Sequence, residues 1–194
     1  MKRLAVGGVA WLGLWAPPAA ADTAALPAAT ARAAASPAPA ASSELTLSLL
    51  GAYGAGGRFE DSDVNRFGFG VGARVGVTLE RPGIYLGGSI VRFFGGEDAA
   101  GEFHTTTLSA EAGYDFSLAQ GSLVVRPMLA LGLAQLATIQ SDNAGYPLAF
   151  HGAPGLLFGL RLAPVWLSVE ARNDVVAGSW SNAATVMIAA GALL

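Results

Sequence analysis

Residues 66–80 read RFGFGVGARVGVTLE, and the alternation in this stretch decides the fold. Phe67, Phe69, Val71, Ala73, Val75, Val77 and Leu79 fall on one face. Arg66, Gly68, Gly70, Gly72, Arg74, Gly76, Thr78 and Glu80 fall on the other. Successive side chains of an extended strand point to opposite sides, so a strict period of two predicts a β-strand with two chemically distinct faces.

The same period recurs on either side. In 104–116, Thr106, Leu108, Ala110, Ala112, Tyr114 and Phe116 oppose Thr105, Thr107, Ser109, Glu111, Gly113 and Asp115. In 123–136, Leu123, Val125, Leu129, Leu131 and Leu133 oppose Arg126, Ala130, Gly132 and Ala134. Phe150, Leu156, Phe158, Leu160 and Leu162 oppose His151, Gly155, Gly159 and Arg161 in 149–163. In 165–175, Val165, Leu167, Val169 and Ala171 oppose Trp166, Ser168, Glu170, Arg172 and Asp174. The runs 44–55 and 183–194 alternate likewise, and 84–95 carries apolar residues on both parities. Placing Ile84, Leu86 and Ile90 inward there carries Arg92 inward with them. Pro127 and Pro154 remove ladder donors and are expected near strand ends. Eight runs across 44–194 give roughly 19 residues per strand and loop, a normal pitch for a small barrel.

Composition narrows the class. The 194 residues are 53% hydrophobic and 13% charged, with 26 Gly and no Cys. Soluble domains carry about 25% charge, so this chain has too little to cover a water-facing surface. Disorder is excluded by the apolar content. Gly or Arg interrupts each stretch that could otherwise form a membrane-spanning helix of about 20 residues.

The first residues, 1–21 (MKRLAVGGVAWLGLWAPPAAA), have a basic start at Lys2 and Arg3, an apolar core and a small-residue end at Ala19-Ala20-Ala21. That pattern predicts a cleaved secretory signal. Residues 22–43, rich in Ala and Pro, read as a semi-extended periplasmic linker. Cleavage would leave no lysine and nine arginines against 14 acids. No basic patch for nucleic acid survives. The lack of cysteine excludes disulfides, thiolate metal sites and a lipoprotein anchor, and no cofactor is expected.

The polar faces decide which side meets lipid. They hold Gly, Ser, Thr and Ala with sparse charges, which suits the crowded interior of a narrow barrel and not a solvated surface. The apolar faces carry Leu, Val, Phe and Ala, with His104 the one ionisable exception. The predicted fold is therefore all-β: a closed antiparallel transmembrane β-barrel of about eight strands, in an up-and-down meander over 44–194. Long connections at 56–65, 96–103, 139–147 and 177–182 would face outward, with tight ones at 81–83, 119–121 and 163–164 inside. Tyr53, Phe67, Tyr85, Phe93, Tyr114, Phe116 and Phe150 are expected in interfacial girdles.

On strand number, alternation and loop asymmetry, the stretch 44–194 resembles the small eight-stranded outer-membrane barrels of Gram-negative bacteria, the OmpA/OmpX type. The resemblance implies residence in the cell outer membrane, contact with outer-membrane lipid and lipopolysaccharide, and insertion by the barrel-assembly machinery. Family members usually end on an aromatic residue, whereas this chain ends Ala192-Leu193-Leu194.

Inward charges are expected at Arg74, Arg92, Glu111, Asp115, Arg126, Arg161, Glu170, Arg172 and Asp174. In a narrow lumen these must pair or bear a desolvation cost, which predicts an Arg–carboxylate network plugging the barrel. The same charges could instead line a narrow porin-like channel for ions or small polar solutes. Glu60, Asp61, Asp63, Glu97, Asp98, Glu102 and Asp142 fall in predicted outer loops as an acidic rim, a place for an extracellular ligand. Asp61-x-Asp63 lacks the glycine and distal Glu of a calcium loop, and no metal site is predicted. Outer-membrane lipid A deacylases resemble this architecture and use a His-x-Ser pair with an acid. The nearest match here is His104-Thr105-Thr106, with Thr in place of Ser. His151 is expected in the lumen network, and no other catalytic motif is present. The sequence thus reads as a non-enzymatic outer-membrane barrel with a structural or surface-interaction role. A channel and a lipid A-modifying hydrolase are its alternatives.

Overall fold

A computed structural model describes residues 43–56, 65–79, 83–98, 101–138, 148–177 and 181–194. The expected signal and linker lie outside the described residues, as do Glu60, Asp61, Asp63, Asp142 and the side chain of Asp98.

The strands are β1 (Ser43–Ala55), β2 (Gly68–Leu79), β3 (Ile84–Asp98), β4 (Gly101–Tyr114), β5 (Phe116–Leu118), β6 (Leu123–Thr138), β7 (Leu148–Leu162), β8 (Val165–Val176) and β9 (Ser181–Leu193). Every neighbouring pair is antiparallel, and chain order is spatial order. β5 prolongs β4 against the same neighbour β6, so eight strands encircle the axis. β1 pairs with β9, and Leu45 and Leu194 exchange amide–carbonyl bonds of 3.1 and 2.9 Å, closing the ring without a free edge.

Two prolines mark the ladder from within strands, not at their ends. Extending the β4–β6 register places Pro127 opposite Tyr114, at the break before β5. The β7–β8 ladder is interrupted at Ala153 and Pro154, between Gly152↔Val175 and Gly155↔Arg172. A residue without an amide hydrogen cannot complete the ladder, which accounts for both interruptions.

Alternation sets two walls. Leu49 and Phe69 are 74% and 72% exposed on the outside, whereas Arg74 and Glu111 are 4% and 3% exposed within. In β3 the parity is opposite to the sequence expectation. Tyr85, Ser89, Val91 and Phe93 are buried, and Ile84, Leu86, Ile90 and Arg92 face out. The flanking ladders impose this, since Ser89 stands opposite both Arg74 and Ser109, whose side chains occupy the lumen. Slipping β3 by one residue would turn its whole set over.

Small inward residues make room for large ones. A methyl group on Gly76 or Gly87 would collide with the Tyr85 ring, and one on Gly159 would enter the Trp166 indole. The expected girdle is corrected in the same way. Tyr53, Tyr114, Phe116 and Phe150 are exposed on the wall, joined by Phe69 and Phe94, while Phe67, Tyr85 and Phe93 fill the interior. The expected outer loop 96–103 is largely hairpin, with Glu97 paired to Glu102 beyond a register shift after Phe94.

Candidate functional site: the charged lumen

The barrel has a turn end, with the tight connections and both termini of the sheet, and a loop end. Nearest the turn end, a chain of charges crosses the lumen. Asp115 accepts from Arg126 Nε and Nη2 at 2.5 and 2.9 Å and from Arg161 Nη2 at 3.1 Å. Arg161 Nε lies 3.2 Å from Glu44 on β1. Arg126 also donates to Thr78 Oγ1 at 3.2 Å, and its guanidinium stacks 3.7 Å from the Tyr85 ring centre and 5.7 Å from that of Trp166. Bidentate geometry and aromatic faces both suit a planar guanidinium, which is the work of arginine and not lysine.

The middle level is centred on Arg74. Its guanidinium meets Glu111 of β4 at 2.9 Å and Glu170 of β8 at 2.5 Å, tying together walls on opposite sides of the lumen. Glu111 is satisfied further by Ser89 Oγ at 2.6 Å and the Tyr85 hydroxyl at 3.2 Å.

Towards the loop end, His151 Nε2 lies 2.6 Å from Asp174, and Nδ1 lies 3.0 Å from Ser109 Oγ. Arg172 Nε donates to the other Asp174 oxygen at 3.0 Å. Arg172 Nη1 and Nη2 and Glu170 Oε1 are buried with no hydrogen-bond partner among the described residues, and buried polar atoms of this kind are suited to bind internal water. An apolar cluster of Leu50, Phe67, Val91, Phe93, Val176 and Met187 also occupies the interior. The Phe67 and Phe93 rings sit edge to face at 5.0 Å.

Eight of the nine expected lumen charges point inward; all but Arg161 are buried, and Arg161 is partly so. Arg92 is the exception, exposed on the outer wall with its Cζ 5.9 Å from the Phe94 ring centre. Glu44, Thr78, Tyr85, Ser89, Ser109 and Trp166 complete the network, and the sequence does not single them out as charge partners. The parity of β1 already placed Glu44 beside Thr46 and Ser48, and that signal would have found it. Among the described acidic-rim residues, Glu97 and Glu102 are exposed.

Ser109, His151 and Asp174 bring together the three groups of a hydrolytic triad. They are 5%, 0% and 0% exposed, however, so the trio links β4, β7 and β8 inside the wall. His104 and Thr106 face outward, with His104 Nε2 3.8 Å from the Glu102 carboxylate and edge-on to Phe94. No hydrogen bond joins His104 to Thr106 among the described residues.

No family model matches the chain, and no curated protein matches its sequence. Solved structures do match its fold. Neisserial surface protein A aligns with a TM-score of 0.56 and 13% identity, over 78% of this chain and 96% of that one. The N-terminal β-barrel domain of Pseudomonas aeruginosa OprF aligns at 0.53 and 13%, over 76% and 96%. Ail, the attachment invasion locus protein of Yersinia pestis, aligns at 0.50 and 11%, over 78% and 97%. These are small eight-stranded outer-membrane barrels, and the chain shares their closed antiparallel fold.

Proposed function

We infer that this chain is an integral outer-membrane barrel whose role is structural or one of surface interaction, and whose lumen does not conduct. The observation that carries the reading is the pairing of an apolar outer wall with a lumen crossed by two ionic levels, Glu44–Arg161–Asp115–Arg126 and Glu111–Arg74–Glu170. An outer wall of exposed Leu, Val, Ile and Phe has a natural solvent in hydrocarbon and none in water. Eight strands leave an interior that side chains can fill. Residues 1–21 act as the export signal, the barrel-assembly machinery inserts the sheet, and the outward connections meet extracellular partners. The protein is not an enzyme on this reading, since the Ser109–His151–Asp174 trio is enclosed and His104 has no hydroxyl partner among the described residues.

Fractionation of cells producing the full chain tests the placement. The chain is expected in the outer-membrane fraction, with faster gel migration before boiling than after. Recovery in the soluble periplasm, with no such shift, would refute the reading.

A further inference from the structure

Arg92 is the one arginine on the outer wall among the described strands, and it has no carboxylate partner there. It is not alone as a polar group. Thr106 stands directly opposite it on β4, and Gln135 directly opposite Thr106 on β6. Directly opposed side chains lie about 5 Å apart, so the three form one polar row across the wall. The row below is Ile90, Leu108 and Leu133, and the row above is Phe94, His104 and Ala137. His104 is turned to Glu102, leaving Arg92, Thr106 and Gln135 as the available donors.

The depth of the row is informative. Arg92 stands eight residues along β3 from Ile84, so it lies about 20 Å above that residue, at roughly 3.3 Å per residue and a tilt near 40°. The apolar band of such barrels is about 25 Å tall, which puts the guanidinium just inside its outward rim, beneath Phe94. An arginine deeper in the band would be costly, whereas one at the rim faces lipid headgroups.

We propose that Arg92, Thr106 and Gln135 form a binding site on the outer wall for the phosphate of a phosphorylated glycolipid headgroup in the outward leaflet. This rests on the membrane reading above and adds a residue-level site to it. The guanidinium fork presents two parallel N–H donors to phosphate oxygens, and the hydroxyl and amide supply flanking ones. Glu97 and Glu102 lie further towards the loop end, so the anion is received from the membrane side of the row.

The test uses the full chain in detergent micelles, with its folded state checked by gel mobility before and after boiling. Diphosphoryl lipid A is titrated in, and the adduct is counted by native mass spectrometry. Wild type is expected to hold one lipid, and Arg92→Gln to bind it about tenfold more weakly, the scale of one lost charge-assisted contact. The double variant Thr106→Val/Gln135→Leu, which keeps the guanidinium, should also weaken binding. Lipid A stripped of its phosphates should bind wild type no better than it binds Arg92→Gln. Equal binding by Arg92→Gln and wild type would overturn the proposal, as would equal binding of the phosphate-free lipid. Displacement of the lipid by inorganic phosphate at matched concentration would assign the site to a free ion and overturn it as well. If the folded barrel forms and shows no such preference, this site alone fails. A wild-type chain with no heat-sensitive fold in micelles or vesicles would bring down the membrane reading itself.

Discussion

Arg126 grips Asp115 with two guanidinium nitrogens, at 2.5 and 2.9 Å, at the point where the ladder between their strands is broken. The break follows from Pro127, which has no amide hydrogen to give, and the side chains restore between the two neighbouring strands what the backbone loses. Arg161 joins the same carboxylate from β7, and Glu44 from β1 joins Arg161, so one local defect anchors a connection between distant strands.

Removing either member of that pair should be costly. Asp115→Ala leaves the Arg126 guanidinium buried beside Tyr85 with its main partner gone, and a loss of about 3–5 kcal/mol is expected. Urea titration of the barrel folded in vesicles, followed by gel mobility, measures it. A loss below about 1 kcal/mol would show the pair to be dispensable.

The packing of Trp166 over Gly159 gives a second expectation. Gly159→Val introduces methyl groups where the indole lies, and should destabilise by about 1–3 kcal/mol. Combining it with Trp166→Ala removes the clash, so the double variant should lose less than the two single losses added together. A double-mutant cycle on folded fraction against urea reads the difference.

The outer wall should respond to charge according to depth. Leu49→Arg, in the middle of the apolar band, is expected to cost about 2–4 kcal/mol in vesicles. Arg92→Leu, at the rim, should alter stability by less than about 1 kcal/mol. Similar costs at both positions would mean that the wall is not ordered along a membrane normal.

The enclosed Ser109–His151–Asp174 trio should be chemically silent. A fluorophosphonate probe is expected to leave Ser109 unlabelled in the folded barrel, because the side chain is buried within the wall together with His151 and Asp174. Ester hydrolysis by the purified chain that is lost in Ser109→Ala would reverse that view. Loss in His104→Ala would instead restore the lipid A-modifying alternative.

Much of this was legible because a period of two is written directly in the residues. In β2, β4, β6 and β8 one face is almost wholly apolar, so parity alone assigned Arg74, Glu111, Arg126 and Arg172 to the lumen. In β3 both parities carry apolar side chains, since its inward Val91 and Phe93 belong to the apolar part of the interior. Local pattern was therefore silent there, and only the neighbouring ladders set the register that turned Arg92 outward. Aromatics misled for a related reason. Tyr85 and Phe67 resemble girdle residues by position, yet the glycines beside Tyr85 and the Phe93 ring beside Phe67 provide room for them inside. Which carboxylate meets which arginine depends on side chains from strands far apart in sequence, such as Arg74 and Glu170, and no local signal carries that pairing.

Planar-bilayer recording of the folded barrel tests the closed lumen most directly. The protein is expected to insert and stay electrically silent, with leak appearing only after ionic levels are removed together, as in Arg74→Ala combined with Arg126→Ala. Reproducible single-channel steps from the wild type, altered in size by Arg126→Ala or Glu111→Gln, would contradict it and make the lumen a conducting path.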